Sequence, residues 1–445
     1  MPKYKVYPEY KNSGIEWLGP IPDHWKTFSG KRMFKSVRIP ADKGDEQLAA
    51  SQRYGVIPQS LMMQLNDSKV MLALKGTDSF RHVAENDFVI SLRSFEGGIE
   101  HSQYTGCVSP AYTVLKNSKP ISYGYYRYLF KCMPFIAALQ SSTDSLRDGK
   151  SINYEQFSAI DLPLTSLYEQ NTIAAFLDYE TAKIDKLIEK QKQLIELLKE
   201  KRQAVISHAV TKGLNPDVPM KDSGVEWLGE VPQHWNITKG GYIGRLFGSE
   251  TVSESNISDE GGLPFIKVST LSLDSFTLNE PEWFIKTLHE KKYKSECDYI
   301  AFPKRGAAIF TNKVNVVRMK SIIDPNLMGW KMNSGVSDEY IAFVLKKRGL
   351  SDIADVSTVP QINNKHISPE KFPLPPYKEQ LEIVDYLKVS IYKFDNLIDT
   401  TQKTIEFSQE RRIALISAAV TGKIDVRDWV APITQEVKEP QETTV

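Results

Sequence analysis

Basic and amide side chains at a few predicted loop tips are the residues of this 445-residue sequence that could do chemistry. Arg and Lys at such tips can bind guanine through O6 and N7 or reach phosphates, and Gln suits adenine. The candidates occupy loops in both halves of the chain: Arg93, Ser94, Arg147 and Lys150 in the first half, and Lys304, Arg305, Lys313 and Gln361 in the second. For any one of them, solvated surface charge is the simpler interpretation. As a set that flanks predicted strands, they favour contact with a nucleic acid.

Catalytic motifs are sparse by comparison. The sequence has no Walker-type phosphate loop and no HExxH, and its seven His residues are scattered. Residues 374–377 (LPPY) are superficially similar to a loop of amino-methyltransferases, but Leu374 cannot accept a hydrogen bond from a target amine. Residues 290–292 (EKK) match only the last part of a metal-dependent nuclease motif. We therefore predict that the chain is not an enzyme and that it binds no cofactor or metal itself.

Composition is that of an ordinary globular protein, with 41% hydrophobic and 25% charged residues. The net charge of +1 neither favours nor excludes nucleic acid, so any electrostatic footprint must be local. No apolar run approaches the length of a membrane span, and the first residues lack the apolar core of a signal peptide. The three Cys residues are far apart, which indicates neither a disulfide framework nor a zinc site. A cytoplasmic location is expected.

An internal repeat organises the chain. Three segments return 210 residues later: 13–19 (SGIEWLG) as 223–229 (SGVEWLG), 24–25 (HW) as 234–235, and 169–170 (EQ) as 379–380. A period this long is that of a duplicated domain and not of a solenoid. Because two copies in one chain imitate a homodimer, we expect a pseudo-two-fold arrangement.

A long helix is predicted to close each copy, over residues 169–212 and 379–422, where Pro and internal Gly are absent. Apolar residues recur every three to four positions: Leu177, Ile184, Leu187, Leu194 and Leu198 in the first helix, and Leu387, Phe394, Leu397 and Ile405 in the second. Because such a narrow seam needs a partner, we predict that the two helices pack antiparallel and coiled-coil-like. Thr401, Thr404 and Ser408 weaken the second seam, which suggests that helices of partner proteins complete it. A helical hairpin with polar layers is the plainer alternative.

The predicted fold class is α+β, with two mixed α/β domains in a pseudo-two-fold arrangement, separated by the two long helices. The first domain covers residues 1–162 and its helix segment 163–215. The second domain covers 216–372 with its lead, its helix segment covers 373–426, and an acidic tail of 427–445 is predicted to be disordered. The two frames match while their contents differ. This favours recognition of two targets over catalysis, because a duplicated active site would need the same residues twice.

The repeated motifs resemble those of the DNA-specificity subunit of type I restriction–modification systems. The similarity covers nearly the whole chain: SGxEWLGxxPxHW before each variable region, EQxxIxxFL at the start of the first long helix, and KRQAVISHAVTKG and RRIALISAAVTGK at the helix ends. Residues 86–99 (NDFVISLRSFEGGI) and 298–309 (DYIAFPKRGAAI) are similar to two different groups of target recognition domains.

This resemblance implies a non-catalytic subunit of a complex that methylates adenine and cleaves DNA with ATP. Each variable domain would be a target recognition domain that reads one half of an asymmetric, bipartite target in double-stranded DNA. The long helices would dock two modification (methyltransferase) subunits, and two restriction (translocase and nuclease) subunits would join. S-adenosylmethionine, ATP and Mg would be bound by those partners. A helix of roughly 65 Å corresponds to at most about nineteen base pairs, which would limit the spacer between the half-sites.

Two other classes of function stay open from the residues alone. A self-sufficient nuclease or methyltransferase with an unrecognised site would be active as a purified single chain. A helical scaffold that binds only protein would have no affinity for DNA, even with its partners present.

Overall fold

The computed structural model describes residues 4–66, 79–91, 94–142, 152–273, 275–355 and 359–432. The chain divides into two compact units. Unit 1 is Met1–Lys192 together with Lys403–Val445, and unit 2 is Gln193–Gln402. Unit 1 is thus built from both ends of the chain, whereas unit 2 is one continuous segment. In the part of the chain that is described, no helix is both long enough and apolar enough to cross a membrane.

The first domain consists of short strands and short helices. In chain order they are β1 (Tyr10–Asn12), β2 (Pro20–Pro22), β3 (Lys26–Ser29), α1 (Gly30–Met33), β4 (Phe34–Val37), β5 (Leu48–Ser51), β6 (Gly55–Pro58), α2 (Gln59–Asn66), β7 (Arg81–Val83), β8 (Phe88–Ile90), α3 (Ser94–Gly97), β9 (Glu100–His101), β10 (Gly106–Val108), β11 (Thr113–Asn117), α4 (Tyr123–Leu129), α5 (Met133–Ser141), α6 (Tyr154–Ala159) and β12 (Asp161–Leu164).

The main sheet of unit 1 is antiparallel, in the order β4-β11-β8-β9. The β8 segment is apolar and buried at every position, which is typical of a central strand. Phe34, Phe88 and Phe130 pack edge-on or tilted against one another and form an aromatic core. Pro134 lies in the first turn of α5, where a missing N–H costs nothing, and so separates α5 from α4.

A long helix and a second domain follow. The elements are α7 (Leu167–Lys212), β13 (Met220–Asp222), β14 (Glu230–Pro232), β15 (Asn236–Lys239), α8 (Gly240–Ile243), β16 (Gly244–Phe247), β17 (Ile257–Ser258), β18 (Leu263–Ile266), β19 (Thr277–Leu278), β20 (Phe284–Ile285), β21 (Tyr299–Pro303), β22 (Asn315–Val317), β23 (Ile322–Ile323), β24 (Leu327–Met332), α9 (Asp338–Arg348), α10 (Asn364–Ile367), β25 (Lys371–Leu374) and α11 (Tyr377–Val420).

The second domain repeats one two-stranded ribbon of the first domain, but its main sheet is different. The ribbon β15-β25 pairs in the same way as β3-β12, with each strand 210 residues further on. The main sheet has the order β16-β24-β21-β22-β19, and β21 at its centre is buried along its whole length. Smaller pairings that do not occur in the described part of unit 1, such as parallel β18-β23, complete the domain. The α+β prediction is confirmed.

The two long helices form where the sequence predicts them. Residues 169–212 lie within α7, and α11 covers 377–420. Each helix ends at a glycine with positive φ, Gly213 at 76° and Gly422 at 74°, a conformation that favours glycine at a helix end.

Parts of both helices contribute to each unit. In unit 2, Gly213 lies beside Glu379, and Arg202 pairs with Asp395 at 3.3 Å, so these segments run antiparallel. In unit 1, Arg412 binds both carboxylate oxygens of Asp185, at 2.8 and 3.2 Å. Fork geometry of this kind holds two side chains in one register.

The predicted seams are only partly buried. Leu177, Ile184, Leu387 and Ile405 are buried, Leu198 and Phe394 are half-buried, and Leu187, Leu194 and Leu397 are exposed, by 45%, 42% and 52%. In α7 the buried row includes Ile188 and Ile195, each one position after an exposed leucine. One residue turns an α-helix by about 100°, so neighbours in sequence face different sides. The role of the exposed leucines as contacts to partner proteins stays a prediction.

Candidate nucleic-acid interface

The loop after β21 brings three of the predicted nucleic-acid ligands of unit 2 together. The backbone N–H of Ile362 donates to the Lys304 carbonyl at 2.8 Å, and Gly306 N–H donates to Pro360 at 2.9 Å. Between these bonds, Arg305 and Gln361 form an antiparallel bridge. Two segments more than fifty residues apart in sequence therefore present Lys304, Arg305 and Gln361 on one short ribbon.

This ribbon is electropositive. Partial burial, followed by the neighbouring charge of Arg305, lowers the pKa of the Lys304 ammonium, and the carboxylate of Asp324 opposes that shift. Like charges held this close to each other are stabilised when an anion binds. Gly306 has a φ of 73°, and a side chain there would meet no neighbour, so the turn needs glycine for its backbone conformation alone.

The fourth predicted ligand of this unit, Lys313, lies between the 3₁₀ turn Ala307–Thr311 and β22 and is half-buried. Phe310 in the same turn is 61% exposed and was not among the predicted ligands. An exposed aromatic ring next to a basic loop can stack on or wedge against bases. The apolar run at 307–310 that directly follows the basic loop was its only sequence signal.

Arg318, which directly follows β22, serves a structural role. Its guanidinium pairs with Asp338 and Glu339 on α9, and Nη2 donates to Asp338 at 3.0 Å. Burial lowers the pKa of Arg318, but the hydrogen bonds and charges of these two carboxylates together raise it. Its charge is therefore already satisfied within unit 2.

The predicted ligands of unit 1 are placed differently. Arg93, Arg147 and Lys150 lie outside the described residues. Ser94 is buried, and its Oγ accepts a hydrogen bond from the Ser91 N–H at 2.8 Å. Ser94 therefore holds the turn before α3, a structural role and not the DNA contact predicted for it, because its side chain is turned inward.

A buried carboxylate joins residues 4–27, called the first lead, to α7. Glu169 Oε1 accepts hydrogen bonds from Tyr7 Oη at 2.6 Å and from Trp25 Nε1 at 3.0 Å. His24 Nε2 lies 2.8 Å from Oε2 of Glu169, and the Thr165 hydroxyl donates a hydrogen bond to the same oxygen. Burial opposes ionisation of Glu169, but the hydrogen bonds outweigh it and lower the pKa of the carboxyl.

The same junction recurs in unit 2, where Glu379 binds Trp235 Nε1 at 3.0 Å and His234 Nε2 at 2.8 Å. The neighbouring glutamines repeat as well. Gln170 Oε1 accepts from the Ser122 N–H and Gln380 Oε1 from the Ser337 N–H, both at 2.8 Å. The HW and EQ dipeptides of each copy therefore contact each other at one joint. The sequence repeat identified both dipeptides but did not predict their contact.

Each recognition domain is also joined to the far end of the other long helix. Tyr125 Oη donates to the carbonyl of Val420 at 2.7 Å in unit 1, and Tyr340 Oη donates to that of Val210 at 3.3 Å in unit 2. These bonds satisfy helix-terminal carbonyls that have no partner within their own helix.

Potential metal ligands gather at one place within the described ranges, where the ligand atoms of Asp42, Asp45 and His82 lie within 4.8 Å of one another. His82 Nδ1 is hydrogen-bonded to Asp45 at 2.8 Å, which explains the cluster without an ion. In a second charged pair, Glu100 is buried and Lys131 is half-buried, and Lys131 also donates to the carbonyl of Gly97 at the end of α3 at 2.8 Å. Burial raises the pKa of Glu100 to about 7 although Lys131 opposes the shift. Neither cluster lies on the basic ribbon.

Comparison with known proteins agrees with this architecture. The sequence model of the family described as "Type I restriction modification DNA specificity domain" matches residues 232–406. The type I restriction enzyme MjaX specificity subunit of Methanocaldococcus jannaschii is 23% identical over 439 residues, which are 92% of this chain and 96% of that protein. The EcoKI specificity subunit of Escherichia coli K12 is 24% identical over 286 residues, 61% of this chain and 59% of that protein.

Solved structures share the fold. One, described as concerning complex assembly and conformational transition of the type I R-M system, has a TM-score of 0.70 and 13% identity, and it covers 91% of this chain and 99% of that chain. The HsdS subunit from Thermoanaerobacter tengcongensis has a TM-score of 0.59 and 14% identity, over 91% of this chain and 98% of that chain.

The duplicated frame and its basic loops are those expected of a protein of the DNA-specificity class. The family match over residues 232–406 and the named relatives, which are 23–24% identical, indicate a specificity subunit of a type I restriction–modification system. Its relatives are named as specificity subunits, so the prediction of a non-catalytic chain is confirmed by them.

Proposed function

We propose that each recognition domain reads one half of an asymmetric, bipartite target in double-stranded DNA. The observation that carries this proposal is the contrast between the two units. The Trp and His contacts of Glu169 recur at Glu379, whereas the main sheets that these joints support differ. Two domains with different sheets and loops, held by similar contacts, would suit two different half-sites.

In unit 2, we propose that Lys304, Arg305 and Gln361 contact the DNA. Arg can bind guanine in the major groove with two hydrogen bonds and Gln can do the same with adenine, while Lys serves as a phosphate contact. The exposed ring of Phe310 extends the same surface by an apolar contact. For unit 1 we retain Arg93, Arg147 and Lys150 as proposed contacts on the basis of sequence alone.

The long helices, in this proposal, set the spacer and dock two modification subunits. The exposed leucines Leu187, Leu194 and Leu397 supply apolar area for partner helices. Two restriction subunits would join that core. S-adenosylmethionine, ATP and Mg would be bound by the partners, and the complex would act on chromosomal DNA in the cytoplasm.

The test is to co-express the chain with its modification subunit and to map methylated adenines across the genome. We expect an asymmetric motif in two parts with a fixed gap. A single undivided motif would contradict the assignment of one half-site to each unit. A stable complex that methylates nothing would favour a scaffold, and activity of the purified single chain would favour a self-sufficient enzyme.

A further inference from the structure

An apolar surface at the end of α7 is open in unit 2. Leu214, Tyr386 and the last turns of α7 line a cavity of about 530 Å³ there, a volume within the range of ligand sites. Tyr386 is 46% exposed, and Leu214 beside it is also exposed. Two large apolar side chains in one concave site make it a candidate contact surface.

The equivalent surface of unit 1 shows what the cover looks like. Tyr4 and Phe176 stand 210 residues before Leu214 and Tyr386, and their rings are in contact, with centroids 5.7 Å apart. Trp429, from the segment after α11, packs edge-on against Phe176 at 5.7 Å. Phe176 is consequently only 3% exposed. One aromatic side chain from outside the repeat closes the site.

The segment that follows α7 in unit 2 provides no such side chain. The helix end at Gly213 leads directly into the second lead, and residues 214–219 (LNPDVP) correspond in the repeat to residues 4–9 of unit 1. Unit 1 has both that segment and the additional segment of residues 423–432. Unit 2 therefore has the platform of the site but not its cover.

Charged residues around the two sites indicate which residues should flank the aromatic side chain. In unit 1, Asp428 beside Trp429 pairs with Lys5 at 2.7 Å, and Asp425 is buried nearby. In unit 2, Lys201 and His208 line the cavity. An aromatic residue flanked by acidic residues fits this rim, because the Lys201 ammonium would face opposite charge.

The residues that follow the described part of the chain supply no aromatic side chain. Residues 433–445 contain no aromatic residue, and Trp429 of a second copy is already engaged with Phe176 in its own unit 1. We propose that the cavity of unit 2 receives an aromatic side chain, flanked by acidic residues, from the modification subunit. This inference rests on the proposed function, since it takes the modification subunit as the partner.

Two variants of the full-length chain test the site. Ala204→Trp places an indole into the cavity from an exposed position of α7, and Tyr386→Ala removes the platform from an exposed position of α11. Each should weaken binding of the purified modification subunit at least tenfold, measured by biolayer interferometry. Amide hydrogen exchange at residues 201–216 should slow when the parent chain binds its partner and should not slow in Ala204→Trp.

Tyr242→Ala is the matched control, because Tyr242 is 74% exposed in unit 2 but does not line the cavity. It should bind within twofold of the parent chain, and all variants should have the parent's melting temperature. Parent-like binding by both Ala204→Trp and Tyr386→Ala, with unchanged exchange at residues 201–216, would overturn this inference alone. A parent chain that does not bind the modification subunit would overturn the proposed function and this inference with it.

Discussion

Glu169 shows how one carboxylate can join segments that are distant in sequence. It accepts hydrogen bonds from Tyr7 and Trp25 of the lead and from Thr165 just before α7. Hydrogen bonds to a charged group are worth about 1.5–3 kcal/mol each, and buried donors that lose their acceptor cost further stability. The joint therefore depends on a charged and not a neutral side chain.

Glu169→Gln should destabilise the chain by about 3 kcal/mol, because the amide removes the charge and turns a donor toward other donors. The check is urea unfolding of the variant followed by a probe in unit 1, with Glu16→Gln, at an exposed position, as the control. An equal and small effect of the two substitutions would contradict the role given to Glu169.

The pH dependence of stability has a definite sign at this joint. The pKa of Glu169 in the folded chain lies below its ordinary value of 4.5. Its stabilising contribution is therefore complete above pH 4.5 and is lost as the pH falls through the lower, folded value. Between pH 5 and pH 3, the stability of the parent chain should fall more steeply than that of Glu169→Gln. Parallel curves would argue that another group titrates.

The basic ribbon allows base contacts and phosphate contacts to be separated. If Arg305 or Gln361 contacts a base, its replacement by Ala should weaken the binding free energy by about 1–3 kcal/mol and relax the sequence preference at one position of the second half-site. If Lys304 contacts phosphate, Lys304→Ala should weaken binding to all DNA sequences alike. It should also reduce by about one the slope of log affinity against log salt concentration. Fluorescence anisotropy of the complex on target and mismatched duplexes checks this, with the exposed Lys320→Ala as the control.

At the scale of elements, the long helices were the easiest part of the fold to predict. A run of more than forty residues without Pro or internal Gly leaves few alternatives to a helix, and α7 and α11 match it closely. Which face each helix buries was harder to predict. Ile188 and Leu187 are equally apolar, and only the position of the neighbouring helix decides between them.

Inserting four residues after Lys192 and four after Gln402 should lengthen the gap of the methylated motif by about two base pairs. One helical turn adds roughly 6 Å, and base pairs are spaced at about 3.4 Å. Both insertion points are exposed positions where the two units meet in sequence. Four residues inserted between Gly261 and Gly262, in a turn of unit 2, are the control. An unchanged gap in the double insertion would refute the helical ruler.

At the scale of the whole molecule, the repeat predicted the two copies, because the same dipeptides return at the same offset, but it did not predict that the HW and EQ dipeptides contact each other. It did not predict the loop contents. Lys304 and Gln361 come together through the backbone bridge at Arg305, a pairing of segments that no local pattern encodes. Ser94 was misjudged for the same reason, since only the fold shows that its side chain is turned inward.

Replacing residues 244–332 by the equivalent segment of a relative with another target should change one half of the methylated motif and leave the other half intact. The replaced segment runs from β16 to β24 and holds most of the differing sheet, while Trp235 and Glu379 stay in place. Methylome mapping of the chimaera checks this, and a transplant of the same relative's first domain is the reciprocal control. A change in both halves would mean that the units do not read independently.

The division of the chain also dictates an order of events during synthesis. Unit 2 is continuous, so all of its contacts are available once residue 402 has left the ribosome. Unit 1 must wait, because Tyr125 binds the carbonyl of Val420, 295 residues later, and Trp25 packs on Gly422. A nascent chain therefore exposes an incomplete first domain until residues 403–422 have been synthesised. A nonsense mutation just after residue 402 would leave unit 2 complete and would remove the contacts of α11 on which unit 1 depends.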